Sequence, residues 1–107
     1  MDIDRILVQC RFSKRYQGYR DLREGVRMVI ENENRLLRIT GIYQQIADKH
    51  MVSRECVERN LRTVINYSWA NGGKEQLELL SGGKLYEKPT TGEVLEIIAY
   101  YIKENSS

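Results

Sequence analysis

The stretch Tyr43–Trp69, YQQIADKHMVSRECVERNLRTVINYSW, decides the fold. Tyr43 to His50 reads as a two-turn helix with Ile46 and Ala47 facing inward. The small Ala47 lets two helices approach closely. Met51 and Val52 break the polar pattern, and Ser53 is a good N-cap for a second helix. From Arg54 onward, at about 100° per residue, Val57, Leu61, Val64 and Ser68 fall in one narrow arc, with Ile65 at its edge. Glu55, Arg59, Arg62 and Asn66 lie on the opposite face, flanked by Glu58 and Thr63. The pattern is helix, short break, longer amphipathic helix.

A helix-turn-helix needs this division, with one face of the second helix held against the core and the other entering the major groove. Arginine suits that outer face because its planar fork donates twice to guanine O6 and N7. Glutamate can accept from cytosine N4, and asparagine can pair with adenine. The same residues have a plainer reading. Glu55 with Arg59 and Glu58 with Arg62 are i,i+4 pairs that any exposed helix can carry. A turn of this type often holds glycine, and here it holds Met51.

The flanking sequence reads as further helices. Leu22, Val26, Val29 and Ile30 recur at helical spacing. Leu36, Leu37 and Ile39 form a short apolar cluster. Ile42, Ile46 and Ala47 mark the first motif helix. Leu77, Leu79 and Leu80 predict a brief helix between Gly72-Gly73 and Gly82-Gly83. Glycines at those pairs and at Gly18 suit helix ends or turns. Pro89 precedes Thr90-Thr91-Gly92-Glu93, a capping-box pattern with Thr90 as N-cap. A last helix is expected from about Thr91 to Lys103, burying Val94, Leu95, Ile97, Ile98, Tyr101 and Ile102. Lys84–Lys88 alternates over too short a span to argue for a sheet. The expected fold class is all-α: a compact bundle of about six helices containing a helix-turn-helix.

Composition bounds the function. The 107 residues, 41% of them apolar and 30% charged, suit one soluble domain. No apolar run reaches the roughly 20 residues that span a bilayer, and the first residues lack signal-peptide features, so a cytoplasmic location and no membrane partner are expected. Net charge is +2, but residues 1–27 carry seven Lys/Arg against four Asp/Glu, while residues 74–107 carry four against six. Any phosphate-facing surface should therefore use the first two thirds of the chain. Cys10, Cys56 and the single His50 lack metal-ligand spacing. The thiols read as buried or half-buried free cysteines, and no metal, cofactor or small-molecule substrate is expected. No Ser/His/Asp or Cys/His constellation is present, so no enzyme is expected. His50, beside the turn, suits a structural role or a phosphate contact.

Specific residues carry a resemblance. Gly18-Tyr19 is followed by Leu22-Arg23-Glu24 and Met28-Val29. Leu36-Leu37 and Ile39-Thr40 lead into Tyr43, Ile46-Ala47 and Lys49. Val57-Glu58-Arg59 is followed by Leu61-Arg62, Ile65 and Trp69. Lys88-Pro89-Thr90 precedes Glu93. In this order and spacing, from about Ile3 to Lys103, the chain resembles the C-terminal effector domain of the stage-zero sporulation protein A family of response regulators. The resemblance implies six helices with an embedded helix-turn-helix, double-stranded promoter DNA as partner, and a homodimer or tandem copies on DNA. It implies that Glu58, Arg59 and Arg62 read bases. Gln44, Gln45, Ser53, Arg54, Asn66, Lys88 and Thr90 are the expected phosphate or flanking contacts, some at helix N-termini whose amides donate to phosphate. The run Arg11-Phe12-Ser13-Lys14-Arg15 could add long-range attraction. Two features depart from the family pattern: Cys56 stands where an arginine is usual, and Met51-Val52 replaces a small polar turn. A receiver domain has no room before Gly18, so the chain is expected to be either an excised domain or a stand-alone copy, its binding unrestrained or controlled by another partner. The competing reading is a protein-interaction module that keeps the fold without binding DNA.

Overall fold

The Asp2 carboxylate opens the first helix by accepting a hydrogen bond from the Asp4 amide at 3.0 Å. The computed structural model describes residues 2–106, and α1 (Ile3–Gln9) is its first element. Sequence reasoning missed this helix. Its signal was present, since Asp2 is a capping residue and Ile3, Ile6 and Leu7 stand at i, i+3 and i+4.

α2 (Gln17–Glu31) turns Leu22, Val26 and Val29 into the core, as their spacing predicts. A 3₁₀ segment (Glu33–Arg38) follows, opened by the Asn32 side chain accepting from the Asn34 amide. It half-buries Leu36 but leaves Leu37 86% exposed, so the apolar cluster there is only partly core. α3 (Ile39–His50) starts one turn earlier than the polar pattern suggests, because Ile42 is buried along with Ile46 and Ala47. α4 (Arg54–Ser68) and α5 (Lys74–Ser81) are joined through the π-helical residues Trp69–Gly73. Asn71 and Gly72 leave helical geometry there, and Gly72 turns the chain at φ 96°. A break is expected at this glycine pair, and the backbone kinks there between α4 and α5. With α4 and α5 taken as one kinked run, the described residues form five helical runs against the about six expected. α6 (Thr91–Glu104) closes the fold with a complete capping box: Thr90 Oγ1 accepts from the Glu93 amide, and the Glu93 carboxylate accepts from the Thr90 amide. No strand occurs among the described residues. None of their helices is long and apolar enough to cross a membrane.

The core lies where α2 packs on both α4 and α6. Leu22, Val26, Leu61, Val64, Leu95 and Ile98 are essentially without solvent access there. Each such side chain contributes about 1.5–3 kcal/mol by leaving water. The buried Ser68 hydroxyl donates to the Cys10 carbonyl at 2.7 Å, tying the end of α1 to α4. Burial also pushes the Cys10 thiol up to about 12, so it stays protonated at neutral pH. Both cysteines are free, Cys10 buried and Cys56 half-buried.

Candidate nucleic-acid interface

Three residues, Met51-Val52-Ser53, connect α3 to α4. Met51 adopts the left-handed conformation at φ 57°. Its amide donates to the Asp48 carbonyl, and the Val52 amide reaches back to the Ala47 carbonyl at 3.0 Å. That pair of bonds is the Schellman stop of a helix, normally built on glycine. Met51 fills the glycine position at the cost of left-handed strain. Ser53 then caps α4, its hydroxyl oxygen accepting from the Cys56 amide at 3.1 Å.

α4 divides as its sequence dictates. Val57, Leu61, Val64, Ile65 and Ser68 are buried. Arg54, Glu55, Glu58, Arg59, Arg62, Thr63 and Asn66 are exposed. Glu58 and Arg62 form an i,i+4 ion pair at 3.8 Å, with both side chains more than half exposed. The expected partner pair does not form: among the described residues, Arg54 and Arg59 have no carboxylate within ion-pair distance. Their guanidinium forks are free toward solvent.

The structure brings five of the ten sequence-predicted site residues into one cleft of about 380 Å³. α4 supplies Glu58, Arg62 and Asn66, and the segment before α6 supplies Lys88 and Thr90. The Lys88 ammonium donates to the Asn66 side-chain carbonyl, drawing that segment onto α4. Thr90 is less available than its position suggests, because its amide is already taken by Glu93. Arg59, Ser53 and Arg54 lie outside the cleft on the free N-terminal half of α4. Gln44 is exposed and donates to Asp48 at 2.8 Å. Gln45 borders a separate cleft between α2 and α3, beside Glu24 and Lys49.

Sequence reasoning did not place Tyr43 in the cleft, naming it only as the start of a helix and in the family resemblance. Tyr43 is 7% exposed and forms part of the cleft wall. Burial pushes its phenol above the ordinary value, opposed by a hydrogen bond from Thr91 and the charge of Arg62, while Glu58 adds to the rise. No spacing signal could have revealed it, because its neighbours come from α4 and the N-terminus of α6. The position of His50 is also resolved: its Nε2 lies 2.8 Å from the Glu24 carboxylate on α2. That contact ties the ring to α2. Among the described residues, no cluster of three or more His, Cys, Asp or Glu side chains could hold a metal ion.

The surface can therefore offer two free arginines, a Glu–Arg pair and a lysine-lined cleft along one polar helix face. The family model for the C terminal of sporulation initiation factor Spo0A matches residues 3–102. That match covers nearly the whole chain, so the chain belongs to the Spo0A C-terminal family, the DNA-binding domain of a sporulation transcription regulator.

Proposed function

We propose that the chain is a sequence-specific regulator that reads promoter DNA with α4. In this reading α3, the Met51–Ser53 turn and α4 form a helix-turn-helix, and residues 54–69 enter the major groove. Glu58, Arg59 and Arg62 contact base edges. Ser53, Arg54, Gln44, Gln45, Asn66, Lys88 and Thr90 surround them as phosphate or flanking contacts. The observation that carries the reading is the split of α4 into a buried apolar face and an exposed polar face whose N-terminal arginines have no carboxylate partner among the described residues. An unpaired guanidinium fork can bind guanine without first breaking an internal ion pair.

Arg62 plays a different part. It lies 3.8 Å from the Glu58 carboxylate, so the two can present an acceptor and a donor side by side to neighbouring bases. Cys56 is half-buried and holds an Asn60 side-chain contact at 3.7 Å. It offers no fork to a base, so the preferred box should differ where an arginine would otherwise reach. Selection from a random duplex library tests this: enrichment of one motif supports the reading, and no enrichment contradicts it. One observation favours the second reading, a protein-interaction module. Met51 is 92% exposed and Val52 40%, which gives the turn an apolar tip.

A further inference from the structure

The segment between α1 and α2 is fastened along one flank of α4. Phe12 is 2% exposed and anchors it in the core. Tyr16 packs on Tyr67 of α4 with ring centroids 5.3 Å apart. The first turn of α2 presses Gly18 onto the Asn60 backbone. Between these anchors, the Tyr16 amide donates to the Ser13 carbonyl at 3.3 Å, closing a turn that carries the exposed Lys14 and Arg15. Lys14 lies over the Tyr19 ring. Arg11 stands in the left-handed region at φ 67°. Its amide donates to the Val8 carbonyl and the Phe12 amide to the Leu7 carbonyl, a helix stop that glycine fits best. Arginine there carries backbone strain, and such strain gathers at functional positions. The Arg11 side chain runs beside Gly72, where a β-carbon would lie 3.8 Å from Arg11 Nε. With Ser13, Tyr67 and Asn71 it lines an open polar pocket of about 330 Å³. Among the described residues, neither Arg11 nor Arg15 has a carboxylate within ion-pair distance.

Helical geometry identifies the flank. At about 100° per residue, Glu58, Arg62 and Ile65 stand on one side of the line of Glu55, Arg59 and Asn66, while Asn60 and Tyr67 stand on the other. Lys88 approaches the first side, in the cleft it shares with Glu58 and Arg62. The segment carrying Arg11 and Arg15 approaches the second. The major groove is about 12 Å wide, close to the diameter of a helix with its side chains, so a helix lying in it has one phosphate chain along each flank. We propose that Arg11 and Arg15 contact backbone phosphates on the strand opposite the one that Lys88 contacts, so that α4 is clamped from both sides. This inference rests on the DNA reading above. Guanidinium forks match phosphate oxygens, and a segment already fixed by packing loses little freedom on binding. Such contacts set the position of α4 in the groove and carry no sequence information of their own.

The test measures binding of the full chain to the library-selected and scrambled duplexes between about 50 and 200 mM salt. Wild type is compared with Arg11→Gly, Arg15→Gln and Lys88→Ala. Glycine suits the left-handed position, so the thermal midpoint of Arg11→Gly should hold or rise, and a lost contact is then not a lost fold. Arg11→Gly and Arg15→Gln should each reduce the slope of log K against log salt by about one, on both duplexes alike. Selected duplexes carrying single methylphosphonates, each removing one phosphate charge, then locate the contacts. Phosphates whose neutralisation weakens wild type but not Arg11→Gly should lie on one strand. Those silent in Lys88→Ala should lie on the other, across the same groove. An unchanged slope in either arginine variant, a loss confined to the selected duplex, or both phosphate sets on one strand would overturn the clamp and leave base reading by α4 standing. Failure of wild type to bind any duplex would overturn the DNA reading and the clamp with it.

Discussion

A β-carbon built on Gly18 of α2 would lie 2.1 Å from the Asn60 carbonyl oxygen of α4. The two helices cross so closely that only glycine fits, and the crossing sets the height of α4 above the core. Gly18→Ala must push the helices apart or bend one of them. Overpacking of this kind costs about 1–3 kcal/mol, which for a chain of this size lowers Tm by roughly 10 °C. Thermal denaturation followed by circular dichroism checks it. An unchanged Tm would mean that the crossing is looser than the geometry requires.

Met51→Gly should have the opposite effect. Met51 is almost fully exposed, so its removal sacrifices no packing. The left-handed conformation costs a non-glycine residue about 1–2 kcal/mol, and the extra chain entropy of glycine returns roughly half of that. The net expectation is a stabilisation of about 0.5–1 kcal/mol, read from the urea midpoint. A lower midpoint would show that the Met51 side chain holds a contact in the folded state.

Asp21 predicts a pH dependence. Burial raises its carboxyl above the ordinary value, against the pull of Arg20 and His50 and with a further push from Glu24. A carboxyl raised in the folded state contributes stability that is present below its unfolded value and lost as pH rises through its folded value. At neutral pH the Asp21 charge therefore costs stability. Asp21→Asn should raise the denaturation midpoint at pH 7, with the difference closing below about pH 4. A lower midpoint for the variant at pH 7 would show that Arg20 and His50 outweigh burial.

Lys88 should act on phosphate rather than on sequence. It reaches α4 through Asn66, outside the residues proposed to read bases. Lys88→Ala is expected to weaken binding to all duplexes alike and to reduce the slope of log K against log salt by about one. Loss confined to one base position would reassign it to base reading.

Most of the fold was legible because helices here obey their own periodicity. The arc of Val57, Leu61 and Val64 and the Thr90 capping box each depend on residues within a few positions. The joints were not legible. The kink at Gly72 falls where the glycine pair reads as a helix end, but its angle depends on the packing around it. The Gly18 reading as a helix end missed its close approach, since Asn60 lies 42 positions away in the chain. The same distance effect governs the site. The alternation of exposed and buried residues on α4 was readable, but the cleft joining α4 to Lys88 and Tyr43 arises only after α6 docks. The Glu24–His50 contact likewise joins two helices that no local pattern relates.

The central claim is that α4 reads bases with Arg59 and Arg62. The most direct measurement is a titration of wild type and the Arg59→Ala/Arg62→Ala double variant against the selected duplex and a scrambled one, at low and moderate salt. Each lost bidentate contact should cost about 1–3 kcal/mol, so the double variant should lose preference for the selected duplex while keeping the fold and weak salt-sensitive binding. Equal preference in wild type and variant, or equal binding of both duplexes by wild type, would contradict the account.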